Sequence, residues 1–306
     1  MKVLIMGVNG FIGDALATYY SNKGHNVYGI ARRQSENKKN DIKIYIKNLE
    51  NENITGLLEE VRPDIILHCA GSASVATSLK DPLYDFDKNI GILYKTLLSL
   101  KESGVNSRFV FLSSAAVYGN PNELPIKETH TISPISPYGL HKKVCEDICK
   151  YFHQIEKMDL LIARIFSTYG EGLKKQILWD CHKKIKKTNR LELFGTGDET
   201  RDFIHIDDLV NSIDLIVNYK NENLDIPTFN IASGKEVKIR DIAFTFASAY
   251  GLNKSKIFFN NKSKDGDPLR WKADISKITN LGFSHQVSLV EGINKYVDWV
   301  KNIEKK

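Results

Sequence analysis

A tyrosine and a lysine four residues apart on a helix can move a proton, and Tyr-x-x-x-Lys occurs four times in these 306 residues. A phenol with an ordinary pKa near 10 is a poor base at neutral pH. A lysine ammonium one helical turn away favours phenolate and makes the tyrosine a usable acid and base. Position separates the four pairs. Tyr19/Lys23 falls on the first helical segment, behind a glycine loop. Tyr84/Lys88 leads into the helix near Asn89, and Tyr250/Lys254 straddles Gly251, which ends a helix. The pair in "SPYGLHKKVCED" is different, because Pro137 marks a helix start and sets Tyr138 and Lys142 on one face. It follows "RFVFLSSAAVYG", an apolar run ending at Ser113 and Ser114. Open α/β sheets bind ligands at the carboxyl ends of their strands. Ser114 is therefore expected to hold a reacting carbonyl or alcohol and relay the proton, Tyr138 to act as acid and base, and Lys142 to hold the nicotinamide ribose. Each residue alone is more often structural. The combination is what points to catalysis.

A dinucleotide is expected because of "GVNGFIG", with Gly7, Gly10 and Gly13 flanking Phe11 and Ile12 between a strand and a helix. The first glycine permits a tight turn and the second a close backbone approach to a pyrophosphate. The third lets the helix pack on the strand, aiming its N–H groups and dipole at the phosphates. About twenty residues later an Asp or Glu would select NAD through the ribose 2′-hydroxyl. This chain has Arg32 and Arg33 there, in "VYGIARRQ". Arginine offers a planar fork to phosphate, so NADP(H) is expected over NAD.

These residues need a scaffold, and the apolar runs supply one. "KVLIMG", "NVYGIA", "IKIYI", "DIILHCA", "RFVFLSS" and "DLLIAR" are continuous rather than alternating, which requires helices on both faces. Between them "FIGDALATYYSNKG" and "NIGILYKTLLSLKESG" have helical periodicity, the second closing at Gly104. The expected fold class is α/β, a doubly wound parallel (Rossmann) sheet with a smaller C-terminal α/β region. The rhythm loosens after about Ser167, through "RLELFGTGDETRDFIHIDDL", "TFNIAS" and helices near 240–250 and 289–303. Residues 1–166 are read as the NADP-binding domain, with parts of 203–232 returning to it, and 167–306 as the substrate-binding domain.

Composition narrows the partners. The chain is 42% hydrophobic and 26% charged, as ordinary soluble domains are, and 43 Lys and Arg against 37 Asp and Glu leave +6. The basic residues are spread out, so nucleic acid is not expected. "MKVLIMG" enters a strand directly, without the length or flanks of a signal peptide or membrane span. Four cysteines without C-x-x-C spacing suit a reducing cytoplasm. Cys145 and Cys149 lie one helical turn apart with no clustered histidines, so they are read as packing residues and no metal is expected.

At this point the chain resembles the extended short-chain dehydrogenase/reductases, specifically their nucleotide-sugar epimerase, dehydratase and reductase group. The resemblance spans nearly the whole sequence: "GVNGFIG", "HCAGSASVATS", Asn89, "SSAAVYG", "PYGLHK", "ARIFSTYG", "FGTGDETRDFIHIDDL" and "GDPLRWKADISKITNLGF". It implies that Ser114, Tyr138 and Lys142 are catalytic and that Asn48 and Leu49 flank the adenine. It further places Cys69, Ala70, Gly71, Asn89 and Ser113 beside the cofactor. On the substrate side it implies Ser74 and Ser167, with Phe194 lining the nucleotide base and Arg201 of "RDF" gripping the diphosphate. Three departures matter. The 4,6-dehydratases have an acidic pair where this chain has Ala115 and Ala116, Ser167 stands where asparagine is usual, and Lys264 where relatives carry a second phosphate-binding arginine. A homodimer is also implied, through helices near 89–103 and 138–155; the stripe Ile92, Leu93, Thr96, Leu97 and Leu100 suits that seam or burial against the chain's own sheet.

The leading expectation is an NADPH-dependent reductase of a 4-keto-6-deoxy nucleotide sugar. Reduction consumes a hydride each turnover, and NADPH is the cofactor that cells keep reduced. The alternative is a nucleotide-sugar 4-epimerase working through a transient 4-keto sugar. A catalytically silent dinucleotide-binding regulator is disfavoured by the intact Ser114, Tyr138 and Lys142 set.

Overall fold

The computed structural model describes residues 1–34, 41–221, 224–262, 266 and 268–304. Its first strand, β1 (Lys2–Met6), carries Val3, Leu4, Ile5 and Met6 at 0% exposure, so both faces are covered. The chain continues through α1 (Phe11–Asn22), β2 (Asn26–Ala31), β3 (Ile42–Ile46), α2 (Thr55–Val61) and β4 (Ile65–His68). Then come α3 (Val75–Lys80), α4 (Pro82–Phe86), one π-helical turn (Asp87–Gly91) and α5 (Ile92–Ser103). Gly104 ends α5 in the left-handed region at φ 61°. β5 (Arg108–Ser114) leads through a 3₁₀ turn (Ala115–Tyr118) to α6 (Pro137–Gln154) and β6 (Leu160–Ile165). In the second half lie β7 (Ser167–Tyr169), α7 (Gln176–Thr188), β8 (Leu191–Leu193), β9 (Thr200–His205), α8 (Ile206–Val217) and β10 (Thr228–Ile231). The chain closes with β11 (Glu236–Lys238), α9 (Ile239–Tyr250), β12 (Ile257–Phe259), α10 (Ser276–Thr279) and α11 (Leu289–Ile303).

Seven strands form one parallel sheet in the order β10-β6-β5-β4-β1-β2-β3. The strand side chains alternate between two cores. Val3 and Ile5 pack with Leu16 and Tyr20 of α1 and Leu209 and Ile213 of α8. Leu4 and Met6 pack with Leu93 and Leu97 of α5 and with Cys145 and Cys149 of α6. A third core joins α7, α9 and α11 through Leu178, Phe246 and Tyr296. The last strand of the main sheet, β10, comes from the second half of the chain, Phe229 and Ile231 pairing with Ala163 and Ile165 of β6. The other strands form small sheets, β11-β9-β7 and β12-β8.

The α5 stripe has one use. Ile92, Leu93, Thr96, Leu97 and Leu100 are all buried against the chain's own sheet. The opposite face presents Tyr94 and Leu98 of α5 beside an α6 surface bearing Leu140, Tyr151 and Ile155, each at least 38% exposed. Among the described residues no helix is long and apolar enough to cross a membrane.

Candidate active site

The glycine loop is tight because backbone occupies the space a side chain would need. Gly7 has φ 77°, and a Cβ on it would lie 3.0 Å from the backbone of Ala70. A Cβ on Gly13 would come within 2.3 Å of the Gly7 carbonyl oxygen. Gly10 caps α1 without any side-chain hydrogen bond, which leaves the first-turn amides unmasked at the positive end of the helix. Such a cradle fits a pyrophosphate. Phe11 and Ile12 are half-buried, and Phe11 extends toward Gly172 of the second half. Arg32 and Arg33 lie just past β2, exposed, and the Asn9 side chain donates to the Arg33 carbonyl at 2.8 Å. Asn48 is partly exposed after β3, whereas the Leu49 side chain is buried in the core.

On the opposite side of the loop, Cys69, Ala70 and Gly71 follow β4. Gly71 has φ 135°, and a Cβ there would meet the Asn89 Oδ1 at 2.8 Å. Asn89 sits in the π-helical turn, a non-α geometry that recurs at functional sites. Its Nδ2 donates to the Asp85 carbonyl at 3.0 Å, while Oδ1 has no partner among the described residues. His68, beside this turn, was not singled out by the sequence. It is 1% exposed, and burial together with the Lys142 ammonium holds its imidazole down to about 3, so it is neutral.

Ser136 caps α6 by accepting from the Gly139 N–H at 3.2 Å, and Pro137 occupies the first turn. This fixes the helix start against the turn after β5, where a Cβ on Gly139 would sit 2.5 Å from the Ala116 carbonyl oxygen. Tyr138, 9% exposed, is thereby brought to the carboxyl end of β5, where Ser114 is the last residue. Its backbone N–H donates to Ser78 Oγ at 3.0 Å. Lys142, 6% exposed, donates to the Leu112 carbonyl at 3.0 Å, with Nζ 6.0 Å from the Tyr138 ring centre. Tyr138 packs with Ala115, Ala116, Val117, Phe166 and Trp271. Ser113 faces the other way, its hydroxyl donating to Glu146 at 2.6 Å, so its side chain belongs to the core.

The residues expected on the substrate side are more scattered. Ser74 caps α3, accepting from the Thr77 N–H at 3.1 Å, and Ser167 opens β7. Phe194 is 54% exposed, a large ring presented to solvent. The Arg201 guanidinium stands 5.6 Å from the Trp271 ring centre, and its Nη1 donates to the Thr200 carbonyl at 2.8 Å. Trp271, which the sequence did not single out, is 8% exposed and donates from Nε1 to the Gly119 carbonyl at 3.0 Å. Lys264 lies outside the described residues.

The sequence also gave no warning of the polar hub behind the site. Glu146 lies at the eighth position after Tyr138 and the fourth after Lys142, on the same helix face. Arg164 grips it with Nε at 3.0 Å and Nη2 at 2.8 Å, and Arg164 Nη1 also donates to Tyr118 Oη at 2.8 Å. The four-residue spacing was visible, but the charge 18 positions away that makes it meaningful was not.

A model described as the NAD dependent epimerase/dehydratase family matches residues 3–232. A protein of Methanocaldococcus jannaschii named putative UDP-glucose 4-epimerase is 29% identical, with 98% of each chain covered. The UDP-glucose 4-epimerase of Mycolicibacterium smegmatis is 27% identical over 99% of each chain. Among solved structures, UDP-glucuronic acid 4-epimerase from Bacillus cereus, in complex with UDP-glucuronic acid and NAD, superposes with a TM-score of 0.89. It is 27% identical and covers 99% of this chain and 100% of its own.

One expectation is corrected by this. NADP was inferred from Arg32 and Arg33, but the similar solved structure holds NAD, as the family description also specifies. The inference took a guanidinium to mean phosphate. A guanidinium can also donate to a ribose hydroxyl oxygen, so two exposed arginines past a strand end do not by themselves select a 2′-phosphate.

Proposed function

The chain belongs to the NAD dependent epimerase/dehydratase family, and on that premise we propose that it is a nucleotide-sugar 4-epimerase acting on a UDP-linked hexose. The observation that carries this reading is the apolar wall around Tyr138. Ala115, Ala116, Val117, Phe166 and Trp271 share one buried cluster with Tyr138, and the two positions after Ser114 carry neither an acid nor a base. Elimination of water needs an acid and a base of its own next to the hydroxyl; inversion through a keto sugar needs one proton carrier and a cofactor that would take the carbon's hydride and return it. Reduction of a 4-keto-6-deoxy sugar rested on NADP and loses its support with it.

NAD, bound between the Gly7–Gly13 cradle and the Gly71–Asn89 side, would supply reversible hydride acceptance from the carbon that inverts. The chain's residues do the rest. Ser114 holds the sugar oxygen by a hydrogen bond, and Tyr138 accepts its proton and later returns it. Lys142 anchors the nicotinamide ribose, Arg201 binds the diphosphate as a fork, and the exposed Phe194 ring is available to the uracil. The wall around Tyr138 excludes water from the exchange.

We further propose a homodimer whose seam is the exposed face of α5 and α6, bearing Tyr94, Leu98, Leu140, Tyr151 and Ile155. Sedimentation showing only monomer at micromolar concentration would remove this proposal.

The catalytic reading is tested by incubating the protein and NAD with UDP-glucose, UDP-N-acetylglucosamine and UDP-glucuronic acid separately. The expected product is the 4-epimer, with no net change in reduced nicotinamide. Stoichiometric consumption of a reduced cofactor on a 4-keto sugar nucleotide, with no epimer formed from any of the three, would overturn it.

A further inference from the structure

Asp85 and His141 form a buried pair to which no role has yet been given. Asp85 is 0% exposed and His141 7%, and the carboxylate Oδ2 accepts from His141 Nδ1 at 2.7 Å. The second oxygen, Oδ1, has no hydrogen-bond partner among the described residues, so the imidazole is the one group there that bonds this carboxylate. Phe86 closes the pair from outside, edge-on to His141 with ring centres 5.7 Å apart. A carboxylate this deeply buried is costly unless paired, so the contact must be kept for the helices to pack as they do.

The neighbours of the pair give it meaning. The backbone carbonyl of Asp85 accepts from Asn89 Nδ2 at 3.0 Å, and His141 immediately precedes Lys142. An unbroken path of contacts therefore runs from Asn89 through Asp85 and His141 to Lys142. Its two ends are the polar groups that the proposed function sets beside NAD: Asn89, aimed at Gly71, and Lys142, donating to Leu112. They come from different elements, the π-helical turn after α4 and the body of α6. Asp85–His141 is a direct side-chain hydrogen bond between α4 and α6.

We propose that Asp85 and His141 are positioning residues that set the spacing between Asn89 and Lys142, and through α6 the pose of Tyr138, without touching cofactor or substrate. The inference rests on the NAD-dependent reading above. Displacing a ribose-holding group by an ångström weakens binding and misaligns the reacting atoms, whereas loss of a mere fold staple lowers stability alone.

His141→Ala and His141→Gln separate these cases, measured for NAD affinity by calorimetry, for kcat and sugar-nucleotide KM, and for thermal unfolding. His141→Ala is expected to weaken NAD binding and lower kcat at saturating NAD by about tenfold or more each, with KM for the sugar nucleotide nearly unchanged. His141→Gln, whose amide still donates to Asp85, is expected to recover most of both. A folded His141→Ala with wild-type NAD affinity and kcat would overturn the proposal, whatever its melting temperature. If His141→Ala does not fold, His141→Asn decides: its shorter donor should weaken NAD binding about threefold or more, and unchanged affinity would overturn the proposal. The NAD measurement stands even if none of the tested sugars is turned over. Failure of the wild-type chain to bind NAD would instead overturn the functional reading and this inference together.

Discussion

Glu146 and Arg164 face each other at 2.8 Å with side chains 0% and 4% exposed, on the helix and strand that flank Ser114. The Ser113 hydroxyl completes the carboxylate's shell at 2.6 Å. The pair thus ties α6, which carries Tyr138 and Lys142, to β5, whose last residue is Ser114, and to β6. A buried ion pair contributes little over a well-packed apolar substitute, but breaking one side of it is costly. Glu146→Ala should destabilise the protein by about 3–5 kcal/mol because it strands the Arg164 charge, and Glu146→Gln by less. Urea unfolding measures this; a loss below about 1 kcal/mol for the alanine variant would mean that the hub is not closed to water.

Tyr138→Phe should lower turnover by about 10²–10⁴-fold and leave NAD affinity close to wild type, because only the proton-carrying oxygen is lost. Lys142→Met should harm both. Tyr19→Phe and Tyr250→Phe should keep full activity. Of those two rings, Tyr19 bonds Asp214 and Tyr250 meets His182, engaging each phenol elsewhere. Wild-type rates in Tyr138→Phe would rule out Tyr138 as the proton carrier.

Arg201→Ala should weaken UDP binding by roughly tenfold to a hundredfold, the size of a charge-assisted contact of about 1.5–3 kcal/mol. Arg201→Lys should recover only part, since a point charge replaces a fork. Calorimetry with UDP alone reads the diphosphate contact separately from catalysis. Equal affinities for all three proteins would place the diphosphate elsewhere.

His205 should make stability fall at alkaline pH. Burial works against its charged form, but hydrogen bonds to Asp207 and Glu171 outweigh that and raise it to about 9. A histidine raised from its unfolded value near 6.5 contributes stability that is fully present below that value and lost as pH climbs through about 9. The loss should be on the order of 2 kcal/mol and should be absent in His205→Gln. Denaturation midpoints at pH 6 and pH 9.5 test this; the same pH slope in both proteins would rule out His205 as its source.

The parts of the molecule legible in the sequence were those with local signatures. β1, β4, β5 and β6 announced themselves as unbroken apolar runs, and Gly7, Gly10 and Gly13 follow from what a turn and a close helix permit. The Pro137 start of α6 separated one Tyr-x-x-x-Lys pair from three others. What was hidden depended on distant partners. Glu146 reads as a surface carboxylate until Arg164 is placed against it, and Asp85 until His141 is. The α7 helix went unnoticed because "QILWDCHKKIKKT" is heavily basic and its apolar face is narrow. Arg32 and Arg33 mislead for a different reason: a guanidinium can donate to a hydroxyl as well as to a phosphate, so its presence alone does not choose between NAD and NADP.

The return of β10 to the edge of the main sheet has a consequence for how the chain is made. Thr228–Ile231 covers the edge of β6, a strand buried along its whole length. A ribosome must therefore build about three quarters of the polypeptide before the main sheet has its final border. Until then β6 offers a row of unpaired backbone groups to any passing strand, the condition under which nascent chains cross-associate. Fragments ending before Thr228 should accordingly depend on chaperones or collect in inclusion bodies, even though every residue of the glycine cradle and of the Ser114, Tyr138 and Lys142 set is already present in them.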